Sequence, residues 1–422
     1  MDKKIKNWYR LDNAAKIFPP NSKGADTKVF RFSCHLKERV DLECLTKAAN
    51  ITLDAVPSFK CVLRKGLFWY YFDETDFRLE IKKESGSPCL PLYFDSTSYL
   101  FRISYYLNTI NLEVYHALTD GVGAMRFFQY LINNYLYIRY RSQLPEDYAL
   151  LNDISSVSRQ QADSFDKYYS GTGRKKKPPL NKAYQLTGKK LKFYDFKVIE
   201  GYCLVNEIKS LSKGIGCSIT ELLCAVMIKA VRNTQKVRDM KLPVVVSMPV
   251  NLRSFFPSDS MRNFFSVYNV AYEVSKEDEG IEAIAMKIHE NIHSELNKEY
   301  LQERMDYLEY FENALYTKLV PLILKRPVLQ LAYKRSEKEY TTTVSNVGMV
   351  DIEEPLQKFI DSFSVFNSTR DLQICVCTFN ERLCITFTSR LVSTEIEMEF
   401  FRILTSYGIN IYIHSNRWEE EQ

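Results

Sequence analysis

His116 and Asp120 are the residues of this chain whose types and spacing best suit acid–base chemistry. They lie four residues apart in the string Tyr-His-Ala-Leu-Thr-Asp-Gly, residues 115–121. An imidazole has an unperturbed pKa of about 6.5, so it can act as a general base near neutral pH. A carboxylate four residues later can fix a turn or balance a cation, and Gly121 lets another group approach the backbone closely. The string predicts base catalysis at His116, with a purely structural histidine as the alternative reading.

A strand must position His116, and a helix must follow it. Apolar residues alternate from Ile110 to His116, which predicts a strand, and the apolar segment 99–107 predicts its antiparallel partner. After Gly121, apolar residues recur at helical spacing through about Tyr140. This strand–turn–helix order would place His116 at the end of a strand and Asp120 in the turn before a helix, as base catalysis at His116 requires.

The composition is typical of a protein with a large folded core. Of its 422 residues, 45% are hydrophobic, and the formal net charge is only +5, so neither nucleic acid nor a membrane is the expected main partner. No apolar segment follows the charged residues at the beginning of the chain, so no signal peptide is expected. The apolar stretch from Leu315 to Tyr333 is interrupted by charges and prolines, which predicts a buried or amphipathic helix pair and no membrane span. These features predict a cytoplasmic protein.

The ten cysteines lack the spacing of metal ligands. Cys375 and Cys377, for example, fall inside an apolar strand pattern. Without a secretion signal, we expect all ten to be reduced core residues.

Loss of periodicity divides the chain into two halves and a linker. Residues 1–154 have an α+β pattern, residues 155–192 form the predicted linker, and residues 193–422 form the second half. Between Arg174 and Lys192 there are eight basic residues and no acidic one. The run Arg174–Lys177 is expected to be solvated, with a contact to an anionic ligand such as a nucleotide phosphate as the alternative.

The second half also carries clear helix and strand signals. Ser218–Glu221 is a capping box that opens a helix, and Thr394–Glu397 predicts another. Apolar runs at Pro243–Val250 and Thr341–Val347 predict strands, and the segment 372–391 predicts a hairpin.

A competing motif occurs at His289-Glu290-Asn291-Ile292-His293, which matches the zinc-protease pattern HExxH. On a helix the two histidines would share one face and could bind zinc. Charged residues flank the motif, so we expect an incidental match on a solvated helix and no metal. A zinc site would also need a third ligand. Three downstream glutamates are available, and nothing selects one: Glu303, Glu309 and Glu312.

The string at 115–121 resembles the HxxxDG signature of the chloramphenicol acetyltransferase-like superfamily, which includes peptide-synthetase condensation domains and alcohol O-acetyltransferases. Three further segments resemble the alcohol acetyltransferase branch or the superfamily's channel strand, in the same order. They are residues 56–60 with 67–71, residues 248–253 with 262–264, and residues 344–348. The resemblance covers nearly the whole chain.

This resemblance implies an α/β (α+β) fold with two chloramphenicol acetyltransferase-like lobes. The lobes would form a V-shaped pseudo-dimer with a central channel that admits acyl donor and acceptor from opposite faces. His116 would be the general base, and Asp120 would hold the loop through a salt bridge. The partner of Asp120 would be Lys60, Arg64 or another cation.

The resemblance also assigns residues to the channel. Gly121 would leave room for the pantetheine arm of the donor. Ser345 or Asn346 would face the channel from the second lobe and donate to the developing oxyanion.

The implied function is transfer of an acyl group, expected to be acetyl, from a CoA thioester to a hydroxyl or amine of a small acceptor. No bound cofactor is expected, because the acyl-CoA is a co-substrate. A carrier-protein-bound donor and a non-catalytic binding role are the alternatives, and an HExxH metalloprotease is a remote one. Condensation domains usually have a second histidine where this chain has Tyr115, which makes a peptide-condensation role less expected.

Overall fold

The computed structural model describes residues 8–22, 26–92, 97–150, 156–171, 182–272, 279–313 and 319–416. The strands of these residues, numbered β1 to β15 in chain order, are Trp8–Arg10, Val29–Leu36, Cys61–Lys65, Tyr70–Glu74, Lys82–Lys83, Phe101–Tyr106, Thr109–Tyr115, Lys197–Leu204, Val244–Asn251, Phe265–Tyr272, Thr342–Met349, Ile360–Asn367, Leu372–Phe379, Arg382–Ser389 and Tyr412–Ser415. The α-helices, numbered α1 to α12, are Phe18–Asn21, Leu42–Ala55, Gly121–Arg139, Val157–Gln161, Ser164–Tyr168, Val205–Ile215, Ile219–Thr234, Ile281–Glu295, Lys298–Asn313, Leu322–Ser336, Glu354–Gln357 and Glu395–Ser406. Short 3-10 helices are Ala14–Ile17, Pro57–Phe59, Arg141–Gln143, Val237–Asp239, Leu252–Ser254 and Glu337–Glu339.

The first sheet carries His116 at the end of a central strand. Its order is β12-β2-β7-β6-β5, and β7 pairs antiparallel with β2 and with β6. The predicted hairpin and the helix after Gly121 are therefore confirmed. Strand β12 comes from the second half of the sequence and pairs with β2, so the sheet draws on both halves of the chain.

The second sheet is built from the second half alone. Its order is β10-β9-β11-β13-β14-β8-β15, and β11 pairs in parallel with both β9 and β13. Helix α7 packs its buried residues into the core beneath this sheet. The predicted capping box at its start is confirmed, because Ser218 Oγ accepts from the backbone N–H of Glu221 and the Glu221 carboxylate accepts from the N–H of Ser218. The predicted strands at 243–250 and 341–347 and the hairpin at 372–391 are also present.

Two local predictions were wrong in part. The helix predicted to begin at Thr394–Glu397 is present as α12, but Thr394 makes no capping hydrogen bond with its side chain. The apolar stretch from Leu315 to Tyr333 was expected to form a buried or amphipathic helix pair, and its residues 315–318 lie outside the described residues. In the described part, α10 leaves four apolar side chains more than 60% exposed: Ile323, Leu324, Val328 and Leu331. Only Leu322 and Lys325 of that helix are buried.

All ten cysteines are free, and eight of them are buried, as expected for reduced core residues. Within the described ranges, no single helix is long and apolar enough to cross a membrane. Helices α6 and α7 reach the necessary length and apolar composition only when they are taken together, and they are bent by 83° to each other. The basic run Arg174–Lys177 lies outside the described residues.

Candidate active site

His116 lies one residue beyond β7, at the wall between two cavities. Its backbone N–H donates to the carbonyl of Lys28 at 2.8 Å, which continues the β2–β7 pairing by one step. The imidazole stacks on Phe18, with ring centroids 4.5 Å apart, and meets Phe30 edge-on at 5.1 Å. Phe265 from β10 lies 5.5 Å away. Aromatic rings from both halves of the chain therefore fix the ring.

A hydrogen bond to Asn263 sets the tautomer of His116. The distance from Nδ1 of His116 to Oδ1 of Asn263 is 3.2 Å. The side-chain nitrogen of Asn263 donates to the carbonyl of Ala117 at 3.3 Å, so its oxygen is the atom that faces the imidazole. Nδ1 must then donate, and Nε2 is left unprotonated in the neutral ring. That nitrogen is the one available as a base.

Burial lowers the pKa of His116 below its ordinary value of 6.5. The negative charge of Asp120 and the hydrogen bond to Asn263 oppose this effect without reversing it. The ring is therefore neutral at pH 7, which is the form that can accept a proton.

Asp12 supports Asn263 from the far side. Its Oδ2 lies 3.5 Å from the side-chain nitrogen of Asn263 and 3.6 Å from Nε of Arg262. Burial raises the pKa of Asp12 to about 6, and the Arg262 guanidinium acts against that rise. Near neutral pH the carboxylate is mostly ionised, so it accepts from Asn263 and stabilises the amide orientation that faces His116.

The Asp120 carboxylate is buried and holds the loop that follows His116. Its Oδ1 accepts from the N–H of Gly123 at 3.0 Å, which caps the start of α3. Its Oδ2 accepts from Nη1 of Arg253 at 2.7 Å and from the N–H of Phe264 at 2.8 Å. These three hydrogen bonds all run to groups that build the loop and the helix start, as expected for a residue that shapes the loop.

The cation that pairs with Asp120 is neither Lys60 nor Arg64, the two candidates named from the sequence. Lys60 pairs with Asp54 at 2.6 Å, and Arg64 pairs with Asp73 at 3.2 Å, both on the first half of the chain. Arg253 takes the place instead, with a side chain that is only 6% exposed. Arg253 lies in the segment 248–253 that carried part of the family resemblance.

Arg253 also organises the segment that reaches the loop. Its Nη2 donates to the carbonyls of Ser260 at 2.9 Å and Arg262 at 2.6 Å. The hydroxyl of Thr119 donates to the carbonyl of Met261. The segment 251–264 of the second half is thus bonded to the loop 116–120 of the first half at several points.

Two glycines in the first turn of α3 differ in how much room surrounds them. A Cβ built on Gly121 would lie 3.5 Å from Cγ1 of Val347, an ordinary contact. A Cβ built on Gly123 would lie 2.1 Å from the hydroxyl oxygen of Thr119 and 2.4 Å from the carbonyl oxygen of Met261. The fold therefore requires glycine at 123, whereas Gly121 widens the cavity.

Ser345 and Asn346 lie on β11, and both line the same cavity as His116. The amide nitrogen of Asn346 donates to the hydroxyl of Thr220 at 3.0 Å, and its oxygen accepts from the N–H of Gly348 at 2.9 Å. These two bonds fix the orientation of the Asn346 side chain, but its amide has a second N–H, so Ser345 and Asn346 are both candidate donors to a ligand in the cavity.

Two cavities meet at His116. The first, here called the α3-side cavity, has a volume of about 320 Å³ and is lined by Asp120, Gly121, Ser345 and Asn346 in addition to the imidazole. The second, here called the α10-side cavity, has a volume of about 400 Å³ and also includes His116 in its wall. Its wall combines apolar and charged side chains, among them Ile17, Phe18, Lys28, Arg304, Met305 and Tyr333. A larger cavity of about 830 Å³ does not include His116 in its lining.

The HExxH motif lies on α8, which is partly exposed, as its charged flanks predicted, and its residues line neither cavity at His116. Neither Glu303 nor Glu309 joins the two histidines, and the side chain of Glu312 lies outside the described residues. The carboxylate that does approach them is Glu221, from upstream in the sequence.

No protein-family model matches the chain, and no curated protein matches its sequence. Solved structures match its fold over nearly all of its length. The trichothecene 15-O-acetyltransferase TRI3 from Fusarium sporotrichioides gives a TM-score of 0.60 at 12% identity, covering 95% of this chain and 94% of that one. TRI101 from F. sporotrichioides, complexed with coenzyme A and T-2, gives 0.61 at 12% identity, covering 95% and 97%. The first condensation domain of the calcium-dependent antibiotic synthetase, complexed with substrate analogue 2a, gives 0.60 at 13% identity, covering 95% and 97%.

The chain therefore shares the two-lobed fold of these acetyltransferases and of the condensation domain, which confirms the fold expected from the resemblance. At these identities the likeness establishes architecture alone. Evidence for an activity lies in the geometry and chemistry of the residues around His116.

Proposed function

We propose that this protein is an acyltransferase that moves an acyl group from a thioester to a hydroxyl or amine, with His116 as general base. One observation carries the proposal. His116 forms part of the wall of two cavities at once, and its Nδ1 is held by Asn263 so that Nε2 is the basic atom. A base between two cavities can take a proton from an acceptor in one while a thioester is presented from the other.

The reaction requires no covalent enzyme intermediate. Nε2 of His116 accepts the proton of the acceptor hydroxyl or amine as the acceptor oxygen or nitrogen attacks the thioester carbonyl. The tetrahedral intermediate then collapses, the carbon–sulfur bond breaks, and the imidazolium returns the proton to the thiolate. The Ser345 hydroxyl is proposed to donate to the oxyanion, with Asn346 positioned by its bonds to Thr220 and Gly348.

The two cavities suit different substrates. We assign the thioester to the α3-side cavity, because Gly121 adds no side chain there and a Cβ at that position would narrow the passage toward Val347. We assign the acceptor to the α10-side cavity, whose wall mixes aromatic, aliphatic and charged groups. A wall of that kind suits an amphiphilic small molecule that presents a hydroxyl or amine to His116.

Asp120 acts in this scheme through position. Its carboxylate caps α3 and binds Arg253, which keeps the loop 116–120 against the segment 251–264. It is not proposed to contact the reacting atoms.

The proposed donor is acetyl-CoA or another acyl-CoA in the cytoplasm, with a carrier-protein-bound acyl group as the alternative. The fold is shared with a protein solved with coenzyme A and with a condensation domain, so the fold is compatible with either donor.

The test is a thiol-release assay with acetyl-CoA and longer acyl-CoAs against a panel of alcohols and amines. With a true substrate pair, His116→Ala should lower kcat/KM by roughly 10²–10⁴-fold, the usual contribution of a positioned base. His414→Ala, which changes an exposed histidine that lines neither cavity at His116, is the control and should leave the rate unchanged.

Two results would count against the proposal. A loss below about tenfold in His116→Ala, well under the usual contribution of a base, would remove the imidazole from the mechanism. Saturable binding of acyl-CoA without transfer to any acceptor, unchanged in His116→Ala, would favour a binding protein of the same fold. Transfer from an acylated carrier protein and from no acyl-CoA would replace only the donor.

A further inference from the structure

Helix α8 presents two histidines one turn apart to a buried carboxylate of helix α7. One ligand atom from each of His289, His293 and Glu221 lies within 4.8 Å of the other two. The two imidazole centroids are 4.1 Å apart. Nδ1 of His289 is 3.1 Å from Oε2 of Glu221, whose side chain is only 6% exposed. The three groups converge although 68 residues separate Glu221 from His289.

The donor set matches a particular class of metal ion. Two imidazoles and one carboxylate form a borderline set that suits zinc and leaves a fourth tetrahedral position for water. The histidines are four residues apart on α8, so they face the same side of the helix. A ligand on a separate helix, held in place by its own hydrogen bond to the N–H of Ser218, supplies the third corner.

We propose that Glu221, His289 and His293 bind one zinc ion that ties α8 to the beginning of α7. The neutral ring of His289 can carry its proton on Nε2 and offer Nδ1 to the metal, in place of the hydrogen bond to Glu221. The inference does not depend on the proposed acyl transfer, and it assigns no proteolysis to the motif.

The location gives the ion a structural consequence. Glu221 closes the capping box of α7, and the preceding residue, Thr220, bonds to Asn346 and lines the α3-side cavity. Zinc bound at Glu221 would therefore join α8 to the helix start that forms part of the cavity wall. The ion would stabilise that wall without contacting a ligand in it.

The experiment is calorimetric titration of zinc chloride into tag-free, metal-stripped full-length protein in a non-chelating buffer. The expected result is one zinc per chain, with a rise in melting temperature on addition of excess zinc. His289→Ala and His293→Ala should each abolish stoichiometric binding. His414→Ala, an exposed histidine outside the cluster, is the control and should bind like wild type.

Glu221→Gln separates a three-ligand site from incidental binding by two surface histidines. Glutamine serves in capping boxes as glutamate does, so the start of α7 is retained while the anionic ligand is lost. The proposal requires that this variant bind zinc much more weakly and lose the thermal shift. Unchanged affinity in Glu221→Gln, or equal binding in the variant with both histidines replaced, would overturn the site, and so would the absence of binding in the wild type.

Discussion

Removal of the Asp120 carboxylate is expected to destabilise the fold, in addition to any effect on chemistry. Asp120→Ala would leave Arg253, which is 6% exposed, with its charge buried and uncompensated. Breaking a buried ion pair in this way costs about 3–5 kcal/mol. Loss of the cap at Gly123 costs about 1 kcal/mol, part of which overlaps with the first effect. Against a typical unfolding free energy of about 5–15 kcal/mol, a loss of this size ranges from about a fifth of the total to nearly all of it.

Two companion variants divide this loss into its parts. Asp120→Asn keeps a side chain that is a good helix cap but removes the charge, so its difference from Asp120→Ala should be about 1 kcal/mol. Arg253→Met removes the stranded cation. Combined with Asp120→Ala, it should recover part of the loss, because replacing a whole buried pair is far less costly than breaking it. The double variant should therefore be more stable than the sum of the two single changes predicts.

The assay is denaturant unfolding of each variant beside thiol release from acyl-CoA. We expect Asp120→Ala to unfold at much lower denaturant, while His116→Ala unfolds close to wild type. If Asp120→Ala unfolds like wild type and transfer nevertheless disappears, the carboxylate takes part in the chemistry and the structural role is refuted. If Arg253→Met recovers none of the loss, the ion pair is not its source.

Three further outcomes follow from the site. Because burial lowers the pKa of His116 below 6.5, the acidic limb of the pH profile of kcat/KM should be centred below that value, with kcat/KM rising along it and staying flat through neutral pH. An acidic limb centred above pH 7 would contradict this assignment. Asn263→Ala should lower kcat by about 10–100-fold, the size of effect seen when groups that orient metal-binding imidazoles are lost. It should also move that limb to lower pH, because the hydrogen bond to Asn263 raises the pKa of His116 and would be gone. A purely structural role of Asn263 would leave the limb in place. Gly123→Ala should cost about 1–3 kcal/mol of stability through overpacking, measured by denaturant unfolding, whereas Gly121→Ala should fold normally and raise the KM for the thioester.

The local frame of the site could be predicted from the sequence because its signals are short-range. Alternation up to His116 indicated the strand, and the change of period after Gly121 indicated the helix. The capping box Ser218–Glu221 needed only four consecutive residues. In each case the residues that form the contact lie within one turn or one strand of each other.

The partners of the site residues could not be predicted in the same way. Arg253 is 133 residues from Asp120, and Asn263 is 147 residues from His116. Nothing in the local sequence ranks Arg253 above Lys60, which satisfies its charge with Asp54 instead. Only the segment resemblance pointed to residues 248–253 and 262–264, and it assigned them no role toward Asp120 or His116.

The carboxylate beside the HExxH motif shows the same limit. The sequence pointed to downstream glutamates, because these lie on the adjoining segment, whereas the carboxylate that approaches the two histidines is Glu221. Glu309, one of those downstream glutamates, does not join the two histidines. Its side chain is buried, which raises the pKa of its carboxyl group, and the charge of Lys16 opposes that rise. The sequence pattern around Glu221 indicates only its role in the capping box of α7. Nothing in that pattern indicates its second contact, which is with His289.

Assembly of the site from both halves connects its stability to its chemistry. The segment 251–264 supplies the cation for Asp120, the acceptor for His116 and the carbonyl that accepts from Thr119. Loosening this segment would disturb the imidazole orientation and the loop at the same time, so variants within it should lose stability and transfer together. Ser345 lines the cavity from β11 without belonging to that network. A change at Ser345 should therefore affect transfer alone, and that contrast separates the groups that build the site from those that act on the substrate.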